Sequence, residues 1–589
     1  MHPLQGALKR PLVLLTALML LLAPLASAAG AAYFEDIPRS EVPYAQMVYE
    51  RYDLGRLQGL LEQLAALCSA PGNDRAVSGL LETLLKEADL VETQYALADI
   101  AYYKDVEDPL KQQEQAHMRA VLENAYDLIF EALAEVLRSG GYNEVIASVI
   151  GEELARSLKY YEPLSDYERA LGERENELIQ TYYSLETGGL SDEQYNGRVG
   201  SLYLSLRDLR MEMARVDGSD SYADMASSQY FGRDYSLRDI RRFCNLIKQI
   251  ISPTYRELYD RYTDKTQQAL DAVPELPPDR LIEMLGRHIG KLGPEMQQSY
   301  DHLVRLGLYD IEKSDRKAAV GFTTALPAYG TAFIFDAPTD SPLSNFGTLV
   351  HEFGHFTNDY YSSTPAMLRD QSFDLFEVHS QGLELLFFPY YEDLFGAGAP
   401  HLIQYQLDDL LYAIVYYAYL AELEIELYSH PEYSLQDINR RSGELLEAYG
   451  ISFSYLPLKQ DLSWIYSDHL ITSPLYSISY AISGMAALDI WMQSLTDYER
   501  AVDTYLRLLS YDTTLPFFDA MEAVGIGDIF TEGYARSVAD TLHARYGSPF
   551  SFLALSTLRF PVLAAGGLLL LALPFLLWRL LARRRLWRQ

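Results

Sequence analysis

Cysteine and positive charge are both scarce in this chain. Its 589 residues include only Cys68 and Cys244, so a metal site built from cysteine thiolates is excluded by number. Outside the cytoplasm these two thiols either form one disulfide or stay free, and the sequence leaves both alternatives open. The 48 Lys and Arg residues stand against 82 Asp and Glu residues, which gives a net charge of −34. Because so acidic a chain is poorly suited to hold phosphate backbones, we expect no nucleic-acid partner.

Linkers and repeats are also missing. No Ser/Gly-rich or Pro-rich stretch separates large blocks, and no internal repeat of fixed period is present. The hydrophobic share of 49%, the charged share of 22% and a mean hydropathy of −0.09 are typical of globular proteins and exclude wholesale disorder. We divide the body into an N-terminal helical region at 29–215 and a second region at 216–547, followed by a linker at 548–559.

Two short basic ends flank apolar runs and predict where the protein resides. A basic pair, an apolar stretch and an Ala-Ser-Ala site make residues 1–28 a signal peptide cut after Ala28, with an uncleaved anchor as the alternative. Residues 560–578 carry no charge and are long enough to cross a membrane as a helix. The basic tail at 579–589 is expected to stay in the cytoplasm. The sequence therefore predicts a single-pass cell-membrane protein whose body lies outside the cytoplasm.

The body is predicted to be mainly α-helical. Apolar residues recur at helical spacing over 42–216, and Ser191 with Gln194 has the form of a capping box that starts a helix. Strand signals are few, and the clearest is the segment 329–335. This segment lies just ahead of the most informative helix of the chain.

Residues 351–355 read His-Glu-Phe-Gly-His, an H-E-x-x-H motif. On a helix His351 and His355 are one turn apart, so both imidazoles face one point and suit Zn²⁺. Glu352 is then placed to take a proton from water at the metal. Gly354 leaves room for the approach of another backbone. Two histidines that only pack on a partly buried helix are the alternative interpretation.

A catalytic zinc site with one open position needs a third protein ligand. Glu377 and His379 lie on a second helical segment, about 200° apart around its axis, so they cannot both reach one metal. His379 falls on an apolar stripe that indicates core packing, whereas Glu377 shares the more polar face with Glu384. We therefore predict Glu377 as the ligand, with Glu384 in reserve and His379 as the less favoured choice.

These motifs together resemble those of the thimet oligopeptidase / oligoendopeptidase F family of zinc metallopeptidases. In that family the third ligand is the Glu of a Glu-x-x-Ser-Gln stretch, which corresponds here to Glu377 in the segment 377–381. The Ser-Tyr-Ala-Asp segment at 221–224 is similar to another family segment. His469, together with Pro-Leu-Tyr-Ser-Ile-Ser-Tyr-Ala at 474–481, is similar to a third segment of the family.

The resemblance spans about residues 160–545 and implies both fold and substrate. It implies a two-lobed helical metallopeptidase with a deep substrate channel and a small β-sheet near one zinc ion. It implies that residues 333–335 form the strand that pairs with the peptide backbone. It further implies that His469, Tyr476 and Tyr480 orient the substrate and stabilise the developing oxyanion. Spacing alone would equally make the two tyrosines a core pair on one helix.

The sequence thus predicts that 216–547 is the catalytic region of a zinc-dependent endopeptidase that cuts short, unfolded peptides. The expected partners are such peptides and, through the C-terminal helix, a membrane. The alternative is a catalytically inactive, membrane-tethered peptide-binding protein of peptidase descent. Such a protein would have no need of Glu352.

Overall fold

Helices make up most of the chain in this computed structural model. The structure describes Phe34 and residues 39–185, 190–259, 264–369, 372–452, 459–510 and 515–546. The predicted signal peptide, linker, membrane helix and basic tail lie outside the described residues. Among the described helices none is both long and apolar enough to cross a membrane. The region boundary near residue 215 stays a prediction.

The helices before residue 220 agree with the helical structure that the spacing of apolar residues predicts for this part of the chain. They are α1 (Leu54–Cys68), α2 (Asp74–Tyr103), α3 (Pro109–Ser139), α4 (Asn143–Ile150), α5 (Glu152–Leu158), α6 (Asp166–Ser184) and α7 (Asp192–Asp217). Ser191 caps α7 in the predicted capping box with Gln194. Helices α1 to α5 share one apolar core, and Met367 from the second region packs into it. Cys68 and Cys244 are both free thiols.

A second group of helices leads up to the sheet. It consists of α8 (Tyr222–Met225), α9 (Leu237–Leu246), α10 (Ser252–Tyr259), α11 (Asp264–Asp271), α12 (Pro278–Ile289) and α13 (Pro294–Leu306). A π-helical segment, Ile247–Ile251, joins α9 to α10 without a break. Gly307 ends α13 in the left-handed conformation, and the chain then enters the first strand.

In the described part of the chain the sheet has three strands, β1 (Tyr309–Asp310), β2 (Gly321–Leu326) and β3 (Thr331–Asp336), in the order β1-β3-β2. The predicted strand is thereby confirmed as β3, which starts two residues later than expected. Its assignment as the peptide-pairing strand at 333–335 is wrong, because β3 is the middle strand. One edge of β3 pairs with β1 in parallel, and the other pairs with β2 in antiparallel fashion along its whole length. A peptide cannot pair with a strand whose two edges are already occupied.

The helices after the sheet carry the remaining predicted site residues. They are α14 (Pro342–Tyr361), α15 (Phe373–Phe387), α16 (Tyr391–Phe395), α17 (Ala399–Ser429), α18 (Leu435–Ala448), α19 (Asp468–Thr472), α20 (Ile478–Ser494), α21 (Tyr498–Ser510), α22 (Phe517–Val524) and α23 (Glu532–Tyr546). Ser341 caps α14 by accepting a hydrogen bond from the Ser344 amide, and Pro342 is its first residue. Helix α14 packs against β2, β3 and α15, while α20 packs against α15 and α17. The sheet and these four helices therefore meet around the H-E-x-x-H motif.

Candidate metal centre

His351 and His355 lie one turn apart on α14 and face the same point, as the motif predicts. Their ring centroids are 5.0 Å apart. The imidazole of His355 stacks on Phe376 of α15, with centroids 4.0 Å apart and planes 11° from parallel. Because that stacking fixes the ring plane, Nε2 of His355 stays directed towards its neighbours rather than rotating freely.

Glu377 of α15 completes a cluster with the two histidines. Its Oε2 atom is 3.4 Å from Nε2 of His351 and 3.7 Å from Nε2 of His355. One potential ligand atom from each of the three residues lies within 4.8 Å of the others. Ligands at zinc bond lengths on a tetrahedron are about 3.3 Å apart, so two of the three separations already approach that spacing. Burial alone would raise the pKa of Glu377, but hydrogen bonds to the two imidazoles hold it below its usual value.

Glu384 does not join the three-residue cluster but contacts its first member from behind. Its Oε1 atom lies 2.7 Å from Nδ1 of His351, on the opposite side of the ring from Glu377. A carboxylate in this place fixes the tautomer in which Nδ1 carries the proton and Nε2 is free to bind a metal. Glu384, which the sequence offers as a reserve ligand, is therefore placed to orient His351 rather than to bind the metal.

His379 is not part of the cluster and is fully buried. Burial lowers the pKa of its imidazole to about 3, so the ring is neutral at physiological pH. Tyr505 donates a hydrogen bond to the main-chain carbonyl of His379, at 2.9 Å. The geometry confirms that His379 packs in the core, as its apolar stripe predicts.

Gly354 allows α14 and α15 to approach closely at the cluster. A Cβ atom at this position would lie 2.6 Å from the carbonyl oxygen of His379 and 2.8 Å from Cα of Ser380. Such distances are too short for carbon contacts, and both neighbours are main-chain atoms that cannot move aside. The predicted approach of another backbone at Gly354 is confirmed, and it brings Glu377 within reach of the histidines.

Glu352 is buried beside the cluster and is held by strand β2. The Oγ1 atom of Thr323 lies 2.8 Å from Oε2 of Glu352 and 2.9 Å from its carbonyl oxygen. Burial raises the pKa of the Glu352 carboxyl. The sequence did not single out Thr323, because only a weak alternation of residue types in 321–326 marks that strand. A buried carboxylate with one fixed oxygen is well arranged to exchange a proton through the other.

His469, Tyr476 and Tyr480 come together near the cluster. Their ring centroids are 4.9 Å apart for His469 and Tyr476, and 5.5 Å apart for the two tyrosines. Burial, with the negative charges of Glu377 and Glu352 nearby, raises the pKa of Tyr476. The Tyr480 hydroxyl lies 3.4 Å from the Tyr476 hydroxyl. Of the two tyrosines, Tyr476 is thus the one influenced by both carboxylates.

The expected helical pairing of Tyr476 with Tyr480 is wrong. Helix α20 begins at Ile478, so Tyr480 is helical and Tyr476 belongs to the turn before it. That turn forms because Leu475 adopts a left-handed conformation, with φ of 66°. The tyrosines still meet, with their ring centroids 5.5 Å apart.

No family model matches the chain, and no curated protein matches it. Several solved structures, however, are similar to the chain. One assigned as oligoendopeptidase F is 19% identical with a TM-score of 0.72, over 86% of this chain and 99% of that one. A PZ peptidase A solved with an inhibitor is 18% identical with a TM-score of 0.72, over 85% of this chain and 98% of that one. Another structure assigned as oligoendopeptidase F, from Bacillus anthracis, is 18% identical with a TM-score of 0.66, over 86% of this chain and 98% of that one. The chain therefore has the mainly helical fold of these peptidase structures, with its small three-stranded sheet.

Proposed function

We propose that this protein is a zinc-dependent endopeptidase that hydrolyses internal bonds of short, unfolded peptides outside the cytoplasm. The convergence of His351, His355 and Glu377 beside the buried carboxylate of Glu352 is the observation that carries the proposal. Two imidazoles and one carboxylate are the ligand set of many catalytic zinc sites. The shared fold of oligoendopeptidase structures agrees with it.

The residues present fit a zinc ion. Nε2 of each histidine and Oε2 of Glu377 would hold it, and Glu384 would keep His351 in the required tautomer. When bound, Zn²⁺ would polarise the scissile carbonyl and lower the pKa of a water molecule.

The chain's own groups then divide the proton transfers and charge stabilisation. Glu352 accepts the proton of the attacking water and delivers it to the leaving amine, while Thr323 keeps its carboxylate in place. Tyr476 donates a hydrogen bond to the carbonyl oxygen as it becomes negative. Tyr480 and His469 orient Tyr476 through their contacts with its hydroxyl and its ring.

Strand β2, rather than β3, is the better partner for a peptide main chain. Within the described residues, β2 pairs only with β3, and no described strand lies along its other edge. Thr323 on the same strand contacts Glu352, which places the strand beside the proposed base. Main-chain pairing at a strand edge tolerates many peptide sequences.

The location outside the cytoplasm rests on the signal-like segment 1–28 and the apolar segment 560–578. Membrane fractionation followed by protease treatment of intact cells tests it. The proposal requires that the body is digested from outside while an epitope placed after residue 589 stays protected.

Replacement of Glu352 by Gln is the direct test of the chemistry. The full chain in detergent is given a library of quenched peptides, and the products are identified by mass spectrometry with and without chelator. We expect internal cleavage by the unaltered chain, none in Glu352→Gln, and one equivalent of zinc in both. Glu392→Gln, at an exposed residue of α16, is the matched control and keeps full activity.

Other results decide between the alternatives. Turnover retained in Glu352→Gln would contradict the assigned base. Bound peptide without cleavage by the unaltered chain would favour an inactive peptide-binding protein. Release of single terminal residues would make the protein an exopeptidase. Cleavage of long folded proteins would refute the expectation that substrates reach the site through a deep channel.

A further inference from the structure

The turn that carries Tyr476 has an unusual backbone. Leu475, directly before it, has φ of 66° and is the one non-glycine residue with positive φ in the described part of the chain. Its side chain is fully buried. Residues with a Cβ atom disfavour this conformation, and it persists only where surrounding contacts enforce it. The contacts of Leu475 therefore show what holds Tyr476 in place.

Both main-chain groups of Leu475 are held by the buried polar side chains of Glu424 and Arg233. Its amide donates a hydrogen bond to Oε2 of Glu424 on α17, at 3.1 Å. Its carbonyl accepts one from Nη2 of Arg233, at 2.8 Å, and the same nitrogen lies 2.9 Å from Oγ of Ser479 on α20. Arg233 and Glu424 are 7% and 0% exposed. The charge-assisted bond from Arg233 and the buried acceptor of Glu424 are together strong enough to impose a disfavoured backbone conformation.

Arg233 also connects this turn to the helix that carries Glu377. Its Nε atom lies 3.4 Å from Oδ2 of Asp374, one turn before Glu377 on α15. The hydroxyl of Tyr235 donates a hydrogen bond to the same carboxylate. One guanidinium group therefore contacts both the element with a candidate metal ligand and the turn with the candidate oxyanion donor.

Aromatic rings surround Tyr476 once the turn is formed. The centroid of Phe231 lies 6.0 Å away and that of Phe373 lies 5.8 Å away, in addition to the contacts with His469 and Tyr480. Phe231 in turn lies against the guanidinium of Arg233, 4.8 Å from its ring centre. The ring and the backbone of Tyr476 are thus fixed by the same group of residues.

We propose that Arg233, with Asp374 and Glu424, is a positioning residue that enforces the left-handed turn at Leu475 and so directs the Tyr476 hydroxyl at the metal cluster. The inference rests on the proposed function, because its readout is peptide hydrolysis. Arg233 itself touches no reacting group. It acts through Tyr476, and a change at Arg233 affects transition-state stabilisation rather than peptide binding.

A double-mutant cycle tests this inference. Arg233→Lys keeps the charge but cannot contact Asp374 and the Leu475 carbonyl together. We expect kcat to fall about tenfold or more, with KM and zinc content little changed. In a Tyr476→Phe background, which itself lowers kcat by about a hundredfold, Arg233→Lys should cause no further loss. Glu424→Leu should behave like Arg233→Lys, and Glu424→Gln, which keeps an acceptor for the Leu475 amide, should recover most of kcat.

The matched control is Arg207→Lys. Arg207 is equally buried and donates to a main-chain carbonyl, that of Tyr433, at 2.8 Å, outside the cluster. Its replacement should leave kcat unchanged and should be additive with Tyr476→Phe. If Arg233→Lys does not fold, Ser479→Ala, which removes one acceptor of the same nitrogen, is put through the same cycle.

Additive losses of Arg233→Lys and Tyr476→Phe would overturn the inference, as would a loss explained entirely by missing zinc. In both cases the proposed function would stand, because the unaltered chain still cleaves peptides. Absence of chelator-sensitive cleavage by the unaltered chain would instead overturn the proposed function, and this inference with it.

Discussion

Gly354 determines, at the scale of a single residue, how closely the two helices of the metal cluster approach. A methyl group there would overlap main-chain atoms of α15. We predict that Gly354→Ala lowers the free energy of unfolding by about 1–3 kcal/mol, because overpacking moves α14 away from α15. Denaturant unfolding of the metal-free full chain measures the change.

The control for this change is Gly197→Ala. Gly197 is exposed on α7, and a Cβ atom there would meet nothing within 4 Å. Alanine should stabilise the helix by about 0.5–1 kcal/mol, since it restricts the unfolded chain. If both variants were stabilised, the close contact at Gly354 would not exist in solution.

Glu384 gives a second residue-scale prediction, which concerns metal affinity. Its carboxylate lies 2.7 Å from Nδ1 of His351, and a neutral amide in its place makes the imidazole a weaker ligand. We expect Glu384→Gln to weaken zinc binding about 10–100-fold, as measured by competition with a chromogenic chelator. Glu392→Gln should bind zinc like the unaltered chain. Equal affinity in all three proteins would show that Glu384 does not act on the metal site.

The packing of α13 on α14 is an element-scale feature that depends on pH. His302 of α13 is buried against Tyr360 of α14, with ring centroids 4.9 Å apart. Burial, with the positive charge of Arg305 beside it, lowers the pKa of His302 to about 4. The unfolded chain therefore binds a proton at this residue between pH 6.5 and about 4, and the folded chain does not.

Stability should fall in that interval as the pH is lowered. The loss attributable to His302 is at most about 1.4 kcal/mol per pH unit, and none is expected above pH 7. His302→Phe should remove this part of the dependence, as seen by urea unfolding of metal-free protein at a series of pH values. His430→Phe, at a histidine whose side chain is 45% exposed, should leave this part of the pH dependence in place. Parallel curves for His302→Phe and the unaltered chain would contradict the assigned pKa.

Local chemistry made some elements predictable from the sequence. Ser191 and Gln194 form a capping box through neighbouring atoms of one short segment, so their pattern alone reveals the start of α7. The spacing of His351 and His355 is likewise a property of any helix. In each case the contacts that decide the structure lie within about one turn of the chain.

Other features depend on partners far away in the chain, and no local pattern shows them. Glu424 and Arg233, which hold Leu475 left-handed, are 51 and 242 residues away from it, so the local spacing of Tyr476 and Tyr480 suggests one helix for both. Strand β1 has only two residues, too few for a period-2 pattern, yet it makes β3 a central strand. Assignment of the peptide-pairing edge to β3 failed for that reason.

The strong negative charge is a property of the whole molecule and should affect which peptides reach the site. A net charge of −34 produces a potential that attracts cations over about one Debye length, which shrinks from about 30 Å in 10 mM salt to about 10 Å in 100 mM salt. Peptides with basic flanks should therefore meet the protein faster than neutral ones at low salt. Acidic peptides should be slowed by the same field.

Three peptides of equal length around one cleavable bond, with flanks of lysine, glutamate or serine, test this effect. We expect kcat/KM to fall about tenfold or more with rising salt for the lysine peptide, to rise for the glutamate peptide and to change little for the serine peptide. Because the field acts on encounter, kcat should be nearly independent of salt for all three. Equal salt dependence in the three peptides would mean that the acidic surface lies too far from the site to influence the substrate. A lysine preference that persists at high salt would instead indicate direct contacts between the flank and carboxylates close to the cluster, since short-range pairs are screened much less.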